Sequence, residues 1–290
     1  YGEKKDLQEV TITTHKSFIQ ANWQLGDFEV IIYDECDYSL DKNMFQALAQ
    51  SWAKYLYWMT WTPYKKELST EDFEKIFGKR IICQTIEKYN IVTEHIHVYR
   101  YKAPEPYVYE NWAEQRAEMF NNKERLEYQV RLIAHHSKTW NGSLILSERI
   151  EEVNNIYEAL LKKWLKVAMI TGETKPKDDK IVIEALEKGE FSIIVATTGK
   201  VARWVDIPII DTIFMFAWVQ FEWTIVQAVW RALRKHPKKE RVHIIDFSDD
   251  ECKNQRYQRV KAYQKEYWLN PNNITINKPP KNASRTQLSL

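Results

Sequence analysis

Two carboxylates stand directly after an apolar run of the chain. Asp34 and Glu35 follow the residues EVIIY, which have the apolar and β-branched composition of a buried strand. In a parallel sheet, ligands bind beyond the carboxyl ends of the strands. Two carboxylates at such an end could hold a hydrated Mg2+ ion and orient an attacking water molecule. Taken alone, the pair can also be interpreted as an acidic turn at the end of a strand.

Threonine pairs follow two further apolar runs. Thr60 and Thr62 flank Trp61 in MTWTP, and two hydroxyls at a tight turn could link one site to another through hydrogen bonds. Thr197 and Thr198 follow the run SIIVA, and hydroxyls with backbone N–H groups at a strand end can bind nucleic-acid phosphates. An ordinary Thr-Pro turn and a helix cap are the corresponding structural alternatives.

A third set of polar residues has helical spacing. Gln227, Arg231 and Arg234 are spaced i, i+4 and i+7, which places them on one face of a helix. Two guanidinium groups on one face can bind a γ-phosphate and stabilise the charge that develops during phosphoryl transfer. The alternative is a solvated basic face, but the remaining residues of the segment are largely apolar, which favours a selective role.

The second half of the chain alternates between apolar runs and amphipathic segments. The runs predict strands at 143–147, 167–170, 192–196, 212–217 and 242–247. The intervening segments predict helices over 149–163, 180–188 and 224–234. Strands that alternate with helices indicate a parallel sheet covered on both faces, so we expect an α/β fold.

The first half has the same pattern in shorter form. The predicted strands lie at 10–14, 29–33, 55–60 and 79–84. A connector is expected over 98–109, followed by a long polar helix over 109–136. The chain beyond Asp250 turns basic and aromatic, and we expect it to be frayed.

Length and composition exclude several classes of protein. The 290 residues, with a mass of 34.8 kDa, suggest about two domains. The net charge of +2 excludes a polybasic tail protein and an acidic disordered chain. The three cysteines form no CxxC pair, which favours a cytoplasmic, reducing setting without a zinc site. No signal peptide or membrane span is recognisable, so we expect no membrane partner.

Five segments occur in an order that resembles the superfamily-two helicases and translocases of the DEAD/DExH type. They are YDEC, MTWTP, LILSE, ATTGKVARWVDIP and QAVWRALR. The resemblance implies RecA-like parallel sheets flanked by helices, in one partial and one complete domain. The expected divisions are the C-terminal part of the first domain at 1–103, a connector and helix at 104–136, the second domain at 137–250 and a basic tail at 251–290.

The resemblance also implies roles in ATP hydrolysis. Asp34 would hold Mg2+, through water, and Glu35 would act as the general base. Arg231 and Arg234 would be arginine fingers that complete the ATP site when the two domains close. Gln227 would bind ATP in the same site.

Further roles implied by the resemblance concern the nucleic acid. Thr197 and Thr198 would contact the nucleic-acid backbone, while Asp206 would bind the ribose of ATP. Thr60 and Thr62 would couple ATP turnover to strand movement. Because YDEC is similar to the box of DNA-unwinding members, DNA is expected as the partner in preference to RNA.

The sequence departs from the family pattern at the phosphate loop. No GxxxxGK[ST] segment occurs, so nothing in the chain would cradle the β-phosphate of ATP. We expect an N-terminally truncated helicase whose missing upstream segment carries this loop, and a chain that alone does not hydrolyse ATP efficiently. Asp37 also stands where DECH-type members carry His, although Asp37 could still accept a hydrogen bond from Gln227.

Tryptophan replaces glycine or another small residue within the family motifs. The chain has 12 Trp and 7 Gly. The motif positions are Trp58, Trp61, Trp204, Trp223 and Trp230, and two loop positions that would suit Gly are Trp140 and Trp164. Gly permits positive φ and close backbone approach, which Trp permits only at a cost. We therefore hypothesise that UGA codons, read as Gly in some genetic codes, have been translated here as Trp.

A function of a different class also fits the sequence. The absent phosphate loop and the bulky Trp residues fit a non-catalytic nucleic-acid-binding module or a decayed pseudo-helicase. Residues 255–268 would then stack on and pair with single strands through basic and aromatic side chains. These side chains are Arg256, Tyr257, Arg259, Lys261, Tyr263 and Tyr267. A surface helix is the structural alternative for this segment.

Overall fold

The chain divides into two compact units, Tyr1–Thr85 and Ile86–Leu290. The structure, a computed structural model, describes residues 9–20, 28–34, 42–59, 74–75, 78, 93–105, 107–108, 110–137, 142–204, 207–216, 232–265 and 271–277. Within these residues, no helix is long and apolar enough to cross a membrane.

The first unit contains a pair of parallel strands and two helices. Their bounds are α1 at His15–Gln20, β1 at Val30–Tyr33, α2 at Lys42–Ala49 and β2 at Tyr55–Trp58. β1 and β2 pair in parallel from Val30 opposite Tyr55 to Tyr33 opposite Trp58. Tyr33 packs with Met44 and Leu48 of α2 in a small core. The predicted strands at 29–33 and 55–60 are therefore confirmed in shortened form.

The strand predicted at 10–14 is wrong. Ile12 is 95% exposed, and Thr14 instead precedes α1 as a helix cap. The Thr14 hydroxyl accepts a hydrogen bond from the backbone N–H of Ser17 at 3.2 Å, which is the bond of an N-cap residue. The β-branched composition of the run thus reflects its cap and not a paired strand. The strand predicted at 79–84 lies outside the described residues.

Seven strands and six helices are described in the second unit. The strands are β3 Thr93–Tyr101, β4 Ser143–Ser147, β5 Val167–Ile170, β6 Ile193–Thr197, β7 Thr212–Met215, β8 Arg241–Asp249 and β9 Ile274–Asn277. The helices are α3 Trp112–Asn121, α4 Lys123–His136, α5 Ile150–Leu161, α6 Pro176–Glu187, α7 Thr198–Trp204 and α8 Lys253–Lys265. The strands form one sheet in the order β5-β6-β4-β7-β8-β3-β9, and every described pairing is parallel.

Helices cover both faces of this sheet. Consecutive side chains of a strand enter two different hydrophobic clusters: Leu144 and Leu146 of β4 lie in one, and Ile145 lies in the other. The first cluster also contains Leu186 of α6, and the second contains Ile133 of α4. A strand buried on both faces needs apolar residues at consecutive positions, which explains the continuous runs in the sequence. The expected α/β fold, with a parallel sheet flanked by helices, is confirmed.

The second unit contains a strand that starts before residue 103 and elements that lie beyond residue 250. The compact units divide after residue 85, and the domain divisions that the resemblance implies stay predictions. The connector expected from Val98 is wrong because β3 continues to Tyr101 and pairs with β8 along its full length. Fraying is wrong for 271–277, where β9 pairs with β3, and α8 is the helix given as the structural alternative for 255–268.

Two helices replace the single helix expected over 109–136. Asn122 ends α3 and caps α4, with an extended backbone at φ −71° and ψ 115°. Its side-chain oxygen accepts a hydrogen bond from the backbone N–H of Arg125 at 2.8 Å. An Asn side chain that satisfies a free N–H group at a helix start competes with continuation of the preceding helix.

A histidine cluster lies between β3, β8 and α4. Its rings belong to His95, His97, His135, His136 and His243. The rings of His97 and His243 stack with centroids 5.9 Å apart, and His136 Nε2 lies 2.9 Å from the Tyr99 hydroxyl. Burial is the main cause that lowers the pKa of His136 to about 3, and the charges of neighbouring histidines are a smaller cause. Burial and the charges of His97, His95 and Arg241 lower the pKa of His243 to about 4.

We expect the second unit to lose stability in acid. A histidine whose folded-state pKa lies below the unfolded value of about 6.5 binds a proton more readily after unfolding. The contribution of such histidines to stability is complete above about pH 6.5 and declines as the pH falls toward about 4. Denaturant unfolding at two pH values should show a free energy of unfolding lower by on the order of 2 kcal/mol at about pH 5 than at about pH 7.

Two variants identify the source of this acid sensitivity. His243→Gln removes one titrating group and should show a smaller decrease between the two pH values. His236→Gln changes a histidine outside the cluster and should show the decrease of the wild type. Equal decreases in all three proteins would contradict the role of the cluster.

Candidate functional site

The carboxyl end of β1 carries Asp34. Tyr33, the last residue of β1, is buried, and Asp34 directly after it is exposed. Mg2+ commonly binds proteins through one or two carboxylates while keeping its other ligands as water and phosphate oxygens. Asp34 fits this role by its donor chemistry and by its position beyond a parallel strand. Among the described residues, no group of three or more His, Cys, Asp or Glu could hold a metal ion without such outside ligands.

Thr197 and Thr198 lie at the carboxyl end of β6, as the sequence predicts. Thr197 is the last residue of β6 and is half-buried, and Thr198 is the first residue of α7 and is 7% exposed. At the next residue, Gly199, no described atom outside its chain neighbours and its own helix backbone lies within 4 Å of the point where a side chain would begin. Hydroxyl groups therefore stand beside open backbone, an arrangement that suits contact with phosphate oxygens.

The neighbouring strand β5 ends in a second Thr-Gly pair that the family motifs do not mark. β5 pairs with β6 up to Ile170 opposite Ala196, so Thr171 follows beside Thr197. The backbone N–H of Thr171 donates to Thr174 Oγ1 at 2.7 Å, and this hydroxyl donates to the Thr171 carbonyl at 2.6 Å. The sequence signal is a Thr-Gly pair directly after an apolar run, as in ATTG.

Lys200 joins these two strand ends. Its Nζ donates to the backbone carbonyl of Thr174 at 2.7 Å and lies 2.8 Å from Asp179 Oδ2 on α6. Both charged side chains are largely buried, so the pair is weakly screened by solvent. Lys200 thus fixes the start of α7 relative to the loop after β5. The sequence alone does not single out this lysine.

The segment that carries Arg231 and Arg234 is described only from Ala232 onward. Ala232 and Leu233 are buried in the core, and Arg234 directly after them is exposed. An exposed arginine at this position suits a residue that contacts a ligand. The remaining predicted site residues lie outside the described part of the chain: Glu35, Thr60, Thr62, Asp206, Gln227 and Arg231.

A buried ionic network lies at the carboxyl ends of β4 and β8. Arg125 of α4 donates from Nε to Asp249 at 3.0 Å and from one terminal nitrogen to Glu152 at 2.8 Å. Gln129 and Ser147 also donate to Glu152. Burial would lower the pKa of Arg125, but the two carboxylates keep that pKa above its usual value. The network joins α4 and α5 to the sheet, and every member is directed inward.

Two arginines and one tyrosine of α8 contact other parts of the second unit. Arg259 lies 2.7 Å from Asp246 of β8, and the hydroxyl of Tyr263 donates to the same carboxylate at 2.9 Å. Arg256 pairs with Asp250 at 2.9 Å. Three of the side chains expected to bind single strands in the non-catalytic alternative are therefore engaged with the protein. Tyr257 remains 65% exposed.

Comparison with known proteins connects this geometry with helicases. Residues 124–236 match the family described as helicase conserved C-terminal domain. Protein D10 of Escherichia phage T5, whose name describes a helicase, is 25% identical over 210 residues, which are 71% of this chain and 46% of D10. IRC3 of Saccharomyces cerevisiae, whose name describes an ATP-dependent helicase, is 24% identical over 131 residues, 44% of this chain and 19% of IRC3. The chain spans less than half the length of these curated relatives.

A solved structure shows the same fold. Dbp5 of S. cerevisiae, bound to RNA and ADP BeF3, aligns with a TM-score of 0.56 and 15% identity over 91% of this chain and 63% of the Dbp5 chain. At this identity the likeness concerns the fold alone. The family match spans β4 to β7, with the threonines after β6, and ends just beyond Arg234. Residues 124–236 of the second unit are therefore similar to a helicase conserved C-terminal domain, on a parallel α/β fold like that of Dbp5.

Proposed function

We propose that the chain acts as part of an ATP-dependent helicase or translocase that couples ATP hydrolysis to the movement of nucleic acid. The main support is the position of Thr197 and Thr198 at the carboxyl end of β6, within the segment that matches the helicase C-terminal domain. The similarity of YDEC to the box of DNA-unwinding members supports DNA as the nucleic acid. The absence of paired-cysteine motifs supports a cytoplasmic location.

In this proposal, residues of both units take part in ATP hydrolysis. Asp34 would hold Mg2+ through water, and the bound ion supplies positive charge beside the phosphate oxygens. Glu35 would accept a proton from the attacking water. Arg231 and Arg234 would stabilise the charge that develops on the transferred phosphoryl group. Gln227 would bind ATP beside them.

The nucleic acid would contact the strand ends of the second unit. Thr197 and Thr198 would donate hydrogen bonds to backbone phosphates, which position a strand without reading its sequence. Asp206 follows in the same segment and would bind the ribose of ATP. A single short segment would thus contact both the nucleic acid and ATP. Thr60 and Thr62 would couple ATP turnover to the movement of the nucleic-acid strand.

The alternative is a non-catalytic nucleic-acid-binding module or a pseudo-helicase. It relies on the basic and aromatic residues of the tail, but Arg256 forms an ion pair with Asp250 and Arg259 forms one with Asp246 of β8. A cation held in an ion pair at the protein surface or core contributes little to phosphate binding. The structure therefore gives this alternative less support than the composition of the segment does.

Two substitutions in the full-length gene product test the proposed hydrolysis. Glu35→Gln removes the general base, and Arg234→Ala removes an arginine finger. Each should lower nucleic-acid-stimulated ATP turnover at least about 100-fold, because both groups act on the transition state. Phosphate release with and without single-stranded DNA or RNA measures the effect.

Lys235→Ala is the matched control for Arg234→Ala. Lys235 is an exposed cation at the next position, and its loss should leave turnover within about 3-fold of the wild type, as for most surface substitutions. Undiminished turnover in Glu35→Gln or Arg234→Ala would refute the assigned role. A wild-type protein that binds nucleic acid without hydrolysing ATP would support the non-catalytic alternative.

A further inference from the structure

Lys239 is a buried lysine that binds three backbone carbonyls. It is 6% exposed, and its Nζ donates to the carbonyls of Ala232 at 2.6 Å, Pro208 at 2.7 Å and Ile210 at 3.2 Å. An ammonium group has three N–H donors, so it can serve all three carbonyls at once. A buried charge is costly unless it is hydrogen-bonded, and here the carbonyl dipoles compensate for the lost water.

The three carbonyls belong to two different segments of the proposed site. Pro208 closes the segment ATTGKVARWVDIP, which begins beside Thr197, and Ile210 follows it before β7. Ala232 lies between Arg231 and Arg234, at the end of the arginine segment. Because β6, β7 and β8 run parallel, the chain after β6 and after β7 returns to the amino edge of the sheet, where Lys239 precedes β8.

We propose that Lys239 is a positioning residue that couples the nucleic-acid segment to the arginine segment. It contacts neither ligand in this proposal. A shift of Pro208 caused by nucleic-acid binding would be passed through the ammonium group to Ala232, and so to the arginines on either side of it. This coupling role rests on the proposed function, whereas the link between the two segments rests on the hydrogen bonds alone.

The link can be tested in the chain of residues 1–290 by amide hydrogen exchange. Lys239→Met keeps a linear side chain but removes the donors, and should accelerate exchange at Ile210 and Leu233 together by about 10-fold or more, because each bond joins a charge to a carbonyl. Strand amides such as that of Ile194 should keep their protection. Lys235→Met removes an exposed cation four residues away and should change neither segment.

Lys239→Gln is the milder variant and keeps the experiment decisive if Lys239→Met does not fold. It retains two N–H donors and should accelerate the same two amides by a smaller factor. Acceleration of one segment without the other, or of the whole sheet equally, would overturn the link.

The coupling role is tested by ATP turnover of the full-length gene product. A purely structural defect lowers basal and nucleic-acid-stimulated rates by the same factor. Lys239→Met should instead reduce the ratio of stimulated to basal rate about 10-fold, with the dissociation constant for nucleic acid changed less than about 3-fold. An unchanged ratio would overturn the coupling. A wild type without any ATP turnover would refute the proposed function but leave the exchange result on the link valid.

An independent observation concerns Trp164, which follows α5. Its φ is +60°, the only positive φ among the described non-glycine residues. Its backbone N–H donates to the Leu161 carbonyl and that of Leu165 donates to the Leu160 carbonyl, which is the Schellman pattern of a helix end. The residue after the last helical turn in this motif is usually Gly, because a residue with a Cβ atom is strained at positive φ.

The end of α6 shows the same motif with its usual residue. Gly189 has φ +76°, its N–H donates to the Leu186 carbonyl, and that of Glu190 donates to the Ala185 carbonyl. Trp164 occupies the equivalent position with 94% of its surface exposed. The indole therefore gains almost no burial that could offset the backbone strain.

We infer that residue 164 is glycine in the protein made by its natural host, encoded by UGA. The codon at position 164 and the mass of the corresponding peptide from the native protein decide the matter. UGA together with a glycine-containing peptide is the expected result. A UGG codon, or a tryptophan-containing peptide, would overturn the inference.

A matched pair of variants tests the strain itself. Trp164→Gly should raise the folding equilibrium constant of the chain about 5- to 30-fold, because it relieves a left-handed conformation. Gly189→Trp should lower that constant by a similar factor. Residue 189 has the same left-handed backbone as residue 164, and the space around it would admit a side chain. Denaturant unfolding measures both, and an unchanged constant in Trp164→Gly would contradict the strain.

Discussion

Every described pairing in the sheet of the second unit is parallel, so the chain must cross from the carboxyl edge back to the amino edge after each strand. The residues that leave neighbouring strands therefore meet at one edge, although they are distant in sequence. Thr171 after β5 and Thr197 at the end of β6 lie side by side for this reason. The return of the chain after each strand therefore determines where the candidate nucleic-acid contacts lie. It also determines which loop and helix ends must be stabilised by other side chains.

Buried cations supply much of that support. Lys200 holds the start of the crossing segment after β6, and Lys239 holds the residues that follow its end. Arg125 performs the corresponding task between α4 and the ends of β4 and β8. Loop carbonyls and carboxylates that approach the sheet lose water, and a long cationic side chain can satisfy several of them at once. Removal of such a cation would leave buried acceptors unpaired.

The central strands could be predicted from sequence because each is a continuous apolar run, as in SLILS and SIIVA. β3 is missed although Ile96 and Val98 alternate with His and Tyr as in a strand, because the prolines that follow at 104 and 106 favour a connector and its partner β8 lies about 150 residues away. The position of Thr197 and Thr198 at the end of β6 could also be predicted, because they directly follow the apolar run SIIVA. Lys239 was not recognised, because a lysine in the basic run HPKKE resembles a solvated residue until its carbonyl partners are known.

The excess of Trp over Gly is informative only position by position. Trp58 ends β2 and packs against Tyr33, Met44 and Leu48, so its environment accommodates an aromatic side chain and provides no reason for glycine. Trp164 has the opposite environment, with a left-handed backbone and an exposed ring. Both residues count equally in the composition, but they differ in backbone φ and in the burial of the indole ring. A misread codon therefore has structural support where the backbone requires glycine, and none where a strand end and a small core suit the indole.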